Sequence, residues 1–203
     1  MIFRPLTVAV CILAFSAPAA LADKVTDAID KSTSLYTSGD VGKAYSELQL
    51  AVTLMGRRLT AAYLKTFPTA PDGWKARRAR STNQSALLAG QGFILNRRYR
   101  QDGGRGSITA QLIVDNPMIT AMSGVFSNPA MAARMQYDRV TIDGVGEAWV
   151  KFEEGRNRGE AVLVIAGRIF IKLTARNIEN RDVLVTMIKG WDVAAVKKTA
   201  GMS

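Results

Sequence analysis

The chain has 203 residues, 48% of them apolar and 22% charged, with no histidine and one cysteine. That is too apolar for a disordered tail and too poor in cysteine for a disulfide-stapled miniprotein, yet long enough for one packed domain and an extension. Its 27 basic residues exceed 17 acidic ones, and the net charge of +10 favours anionic partners.

Residues 1–22 read as a secretory signal. Arg4 gives a basic start, Leu6 to Phe15 form the apolar run, and Ala20-Leu21-Ala22 is a small-x-small cleavage site. The run is well short of the ~20 residues that span a bilayer, and Pro18 interrupts its continuation. Cleavage after Ala22 therefore predicts a periplasmic protein that starts at Asp23 and keeps no membrane span. Cys11 sits inside the apolar run, in poor context for lipid attachment, and leaves with the signal. The remaining chain has neither cysteine nor histidine. Thiolate or imidazole zinc sites, cysteine nucleophiles, serine–histidine dyads and disulfide exchange are thereby excluded. No metal or other cofactor is expected, and stability must come from an apolar core.

From Asp23 to Phe67 apolar residues recur at helical spacing, first as Val25, Ala28, Ile29 and Leu35, then as Val41, Ala44, Leu48, Ala51, Val52, Met55 and Leu59. Gly39 suits a left-handed helix end and Asp40 an N-cap, so the spacing predicts an antiparallel helical hairpin over 23–67. It resembles one helix-turn-helix unit of the tetratricopeptide kind, without a second copy. Residues 68–80, opening with Pro68 and holding Pro71, Gly73 and Trp74, read as a linker ahead of an α+β sandwich domain over 81–203.

In that second part, 93–100 and 107–114 are strand-like and flank the glycine-rich loop 102–106, predicting a hairpin. Asn116-Pro117 opens a short helix reaching about Val125, and Asn128-Pro129 repeats the device. Strand patterns follow at 136–142, 146–152, 160–165 and 168–175, then a helix at 180–188 that Gly190 bends or ends before a short tail at 193–198. The expected fold class is α+β: a helical hairpin, then an antiparallel sheet of about six strands with helices on one side.

On Pro71-Asp72-Gly73-Trp74, Ser127-Asn128-Pro129-Ala130-Met131-Ala132 and a strand meander closed by a helix, the chain resembles a group of secreted proteobacterial proteins of unassigned function. That group combines a helical hairpin, a Pro-x-Gly-Trp linker and a β-rich half. In element order the β-rich half also resembles the small α/β sandwich of the PsbP and Mog1 proteins. Neither resemblance implies a catalytic residue.

The strongest chemical signal is charge. Lys75, Arg77, Arg78, Arg80, Arg97, Arg98, Arg100 and Arg105 stand against Asp102 alone between positions 75 and 105. Arginine suits bidentate binding of phosphate or carboxylate. Alternation along a strand would put Arg97 with Tyr99 on one face and Arg98 with Arg100 on the other. Seven arginines, Arg77, Arg78, Arg80, Arg97, Arg98, Arg100 and Arg105, are thus candidates for docking an envelope protein, an anionic headgroup or a polymer. Asp102, Asp138 and Glu147 are the carboxylates expected to neutralise some of them. No nucleic acid is expected, since export and the lack of a binding motif argue against it.

An alternative is an apolar groove for a small ligand, built from Met118, Met122, Phe126, Met131 and Met135, whose methionines repeat four apart. The same thioethers are soft enough for Cu(I), although packing explains them more simply. Acid–base chemistry on Asp138, Asp143 and Glu147 would need the carboxylates to converge, and the tandem Glu153-Glu154 would point to opposite strand faces. The loop Gly155 to Gly159 has the makings of a small anion nest, but it serves equally as a plain hairpin connection. The composition favours a non-enzymatic binding protein.

Overall fold

The structure is a computed structural model that describes residues 23–82, 90–126 and 128–202. The expected signal, its cleavage site and Cys11 lie outside the described residues, as does Ser127 of the quoted motif. The fold is α+β. Helices α1 (Lys24–Thr37) and α2 (Val41–Leu64) form an antiparallel pair. Gly39 makes the turn at φ +86°, and the Asp40 carboxylate accepts from the Lys43 N–H.

An eight-stranded antiparallel sheet follows, two strands more than the sequence pattern predicts. The extra strands are β1 (Trp74–Ala76) and β2 (Arg80–Ser81), both inside the stretch read as a linker. Each pairs with the outer edge of β3 (Phe93–Gln101), Trp74 opposite Gln101 and Arg80 opposite Asn96. Prolines and glycines exclude helix there, but two or three residues are enough to satisfy an edge once β3 offers one. The other strands are β4 (Ser107–Val114), β5 (Asp138–Ile142), β6 (Gly146–Glu153), β7 (Arg158–Ile165) and β8 (Ile169–Arg176). Their order is β1-β3-β4-β8-β7-β6-β5, so the last strand lies between β4 and β7.

One sheet face is closed. Leu95, Tyr99, Ile108, Leu112, Leu163, Ile171 and Leu173 are buried there beneath α5 (Asp182–Lys189) and α6 (Val193–Thr199), which contribute Leu184, Met187, Ile188 and Val196. Gly159 permits this close packing, because a Cβ at that position would stand 2.6 Å from Leu184 Cδ1 and 2.9 Å from the Lys151 carbonyl. The hairpin joins the same core through its end. Tyr63 packs on Phe93 with ring centroids 5.0 Å apart and Phe67 on Trp191 at 4.7 Å. Pro68 is fixed too, since its carbonyl accepts from the buried Tyr99 hydroxyl at 2.7 Å. Toward its other end the hairpin is sealed by small residues, Ala28, Ala44 and Ala51, while Tyr36, Val41, Tyr45 and Leu48 are exposed.

The opposite face is half covered. Two short helices lie over it: α3 (Met118–Ser123) at the end of the sheet nearest Ile113 and Phe170, and α4 (Pro129–Arg134), whose Ala132 packs with Tyr137 and Trp149. The Asn116 carboxamide oxygen accepts from the Met118 N–H at 2.9 Å, and that of Asn128 from Ala130 and Met131 at 3.0 and 3.4 Å. Here α3 stops at Ser123, two residues before the expected end. Ile119, Met122 and Phe126 pack against Ile113, Val162 and Phe170.

Candidate functional site

The uncovered half of that face is built from side chains that strand alternation turns away from the core. Antiparallel register arranges them in rows across β3, β4, β8 and β7: Arg100, Ser107, Arg176, Arg158; then Arg98, Thr109, Thr174, Glu160; then Asn96, Gln111, Lys172, Val162. The fourth row, Ile94, Ile113, Phe170 and Val164, is apolar and lies under the α3 segment. Polarity thus changes along every strand, and the change defines the site.

Three concavities occupy the polar half. The largest, about 540 Å³, is lined by Asn96, Arg98, Arg100, Ser107, Thr109, Gln111, Lys172, Thr174 and Arg176, with Met122 at its rim. It shares Asn96, Arg98 and Thr109 with one of about 420 Å³ at the β2 edge, where Arg77, Arg78 and Arg80 stand. It shares Thr174 and Arg176 with one of about 390 Å³ lined by Tyr137, Lys151, Glu153, Arg156, Arg158 and Glu160. Together they make one trough that crosses the strands.

Its electrostatics are lopsided. Glu160 is held at 2.8 Å by the Tyr137 hydroxyl and at 3.1 Å by Lys172, and Glu153 at 3.2 Å by Lys151 and 3.3 Å by Arg156. Lys151, then Arg156, keep the Glu153 carboxyl below its usual range, whereas burial and then Glu160 push the Tyr137 phenol up. Both carboxylates are therefore already engaged. Among the described residues, Arg77, Arg78, Arg80, Arg98, Arg100, Arg158 and Arg176 have no side-chain hydrogen bond or ion pair. Arg158 even faces Arg176 in register, and directly opposed like charges destabilise a sheet.

The structure divides the arginines expected from sequence. Arg77, Arg78, Arg80, Arg98 and Arg100 line the trough. Arg97 projects to the other face, donating to the carbonyls of Arg77 at 3.1 Å and Pro68 at 3.4 Å, with its guanidinium 5.5 Å from the Tyr99 ring centroid. Arg105 belongs to the exposed β3–β4 loop, where its carbonyl accepts from Asn177. The expected neutralising carboxylates are engaged elsewhere: Asp102 with Lys75, Asp138 with Arg181 and Glu147 with Arg139. Each takes the cation its own strand end or hairpin brings beside it. Asp138 and Glu147 also project to opposite sheet faces, by the parity of their registers.

Sequence reading missed Lys172, Arg176 and Arg158, which lie far along the chain from the arginine cluster. Their proximity to it depends on β8 entering the sheet beside β4. The methionines are dispersed: Met118, Met131 and Met135 are exposed, whereas Met122 packs beside Phe126 against the sheet. Met122 and Met135 line different concavities.

Compared with known proteins, the chain matches no family model, no curated protein and no solved structure.

Proposed function

We propose that this is an exported, non-enzymatic binding protein that takes an anionic partner in the trough on its open sheet face. The observation that carries the reading is the set of seven arginines without a side-chain partner, lining one recess from β2 and the residues before it, β3, β7 and β8. Arginine's planar fork suits carboxylate and phosphate oxygens, and being pre-organised it loses less freedom per hydrogen bond formed. Opposing Arg158 and Arg176 costs stability, and a bound anion would offset that cost. The secretory pattern of residues 1–22 supports the periplasmic setting.

Calorimetric titration with tripolyphosphate at low salt tests the reading. Replacing Arg98, Arg100 and Arg176 by glutamine is expected to weaken binding roughly tenfold or more. Replacing Lys197 and Lys198, which lie on α6, is expected to leave it unchanged. Equal losses in both variants would reduce the effect to net charge and overturn the assignment of the site.

A further inference from the structure

The spacing of the trough's charges narrows the partner, provided the anion-binding reading above holds. The unpaired cations do not converge on a point. They run from Arg80 on β2 to Arg158 on β7, four interstrand steps or ~19 Å at ~4.8 Å per step. A single phosphate or carboxylate engages one or two of them and leaves the others exposed. The three concavities adjoin across the strands through shared lining residues, so an extended chain can lie along them.

The charges are also interrupted. Between the cations of β3 and those of β8 stands β4, whose three side chains in the trough are Ser107, Thr109 and Gln111. The cationic columns are therefore two steps apart, ~10 Å, with neutral hydroxyl and carboxamide groups between them. A polyanion without hydroxyl groups, such as polyphosphate, would set only anionic groups against that neutral column. A polymer with charges separated by hydroxyl groups matches both columns, with arginine forks on its carboxylates and β4 on its hydroxyls. A bilayer surface fits less well, because the cations line a recess bordered by Met122 and Met135 rather than a protruding face. We infer that the partner is a linear acidic polysaccharide lying across strands β2 to β7, its carboxylates on the arginines and its hydroxyls on the β4 side chains.

The test uses the described protein with oligogalacturonates from the dimer upward, polyphosphate of matching contour length, and phosphatidylglycerol vesicles. Affinity for oligogalacturonate is expected to rise with length, by roughly tenfold or more, and to level once the chain spans the trough. Arg78→Gln with Arg80→Gln at one end, and Arg158→Gln at the other, should each lower that plateau. Thr109→Val with Gln111→Leu should weaken oligogalacturonate more than polyphosphate. Absence of a length dependence, or tighter binding of polyphosphate or vesicles than of oligogalacturonate, would overturn the polysaccharide assignment while leaving an anion site in place. If no anion binds in a manner that depends on Arg98 and Arg100, the underlying reading fails as well.

Discussion

The two faces of the sheet are made from the same strands and differ in everything but backbone. On one face, rows such as Leu95, Leu112, Ile171 and Leu163 are sealed beneath α5 and α6. On the other, the row containing Arg98, Thr109, Thr174 and Glu160 remains accessible. Adjacent residues make the contrast sharpest. The Arg97 guanidinium lies near the Tyr99 ring and donates to two carbonyls, so it belongs to the architecture. Arg98 has no such partner and points into the trough. The closed face is where side chains are used for stability, and the open face is where charge is left available.

Breaking the closed face should have the largest effect. Leu112→Ala removes a fully buried side chain from the centre of the core and is expected to cost ~2–5 kcal/mol in chemical denaturation, with anion binding preserved in the remaining folded protein. High pH should act on the same face. Burial pushes the Tyr63 and Tyr99 phenols up to about 12. The folded state then holds protons that the unfolded state releases near its ordinary pKa of ~10, so stability falls as pH rises through ~10 to ~12, by ~2 kcal/mol for each phenol. Denaturant midpoints measured across that range check the sign.

A smaller loss is expected from Tyr99→Phe, which removes the 2.7 Å hydrogen bond to Pro68 and should cost ~1 kcal/mol. Arg97→Gln and Arg98→Gln form the sharpest pair. The first is expected to lower stability by ~1 kcal/mol with little change in tripolyphosphate affinity, and the second to lower affinity with stability unchanged within ~0.5 kcal/mol. Reversed outcomes would mean that the functional face has been assigned to the wrong side. The smallest effect has the opposite sign. Arg158→Thr relieves the opposition to Arg176 and is expected to stabilise the protein by about 0.2–1 kcal/mol while weakening binding of long anions.

The sequence by itself determined the local elements. Helical spacing with Gly39 and Asp40 marked the hairpin, Asn116 and Asn128 marked the starts of two short helices, and alternation separated Arg97 from Arg98. These depend on near neighbours, so the chain's own periodicity carries them. It also placed Arg77, Arg78, Arg80, Arg98 and Arg100 together, since β1, β2 and β3 are close in sequence. Strands β1 and β2 were not legible, because elements of two or three residues have no period and exist only through their pairing with β3. Nor were the destinations of Asp102, Asp138 and Glu147, which depend on the cations brought beside them. Above all, the insertion of β8 between β4 and β7 was decided by the tertiary structure. Sheet order follows from how several amphipathic strands share one buried face, a property of the assembled core. That order brings Lys172, Arg176 and Arg158 to the arginines of β2 and β3, and so turns a basic stretch of chain into the trough proposed as a binding site.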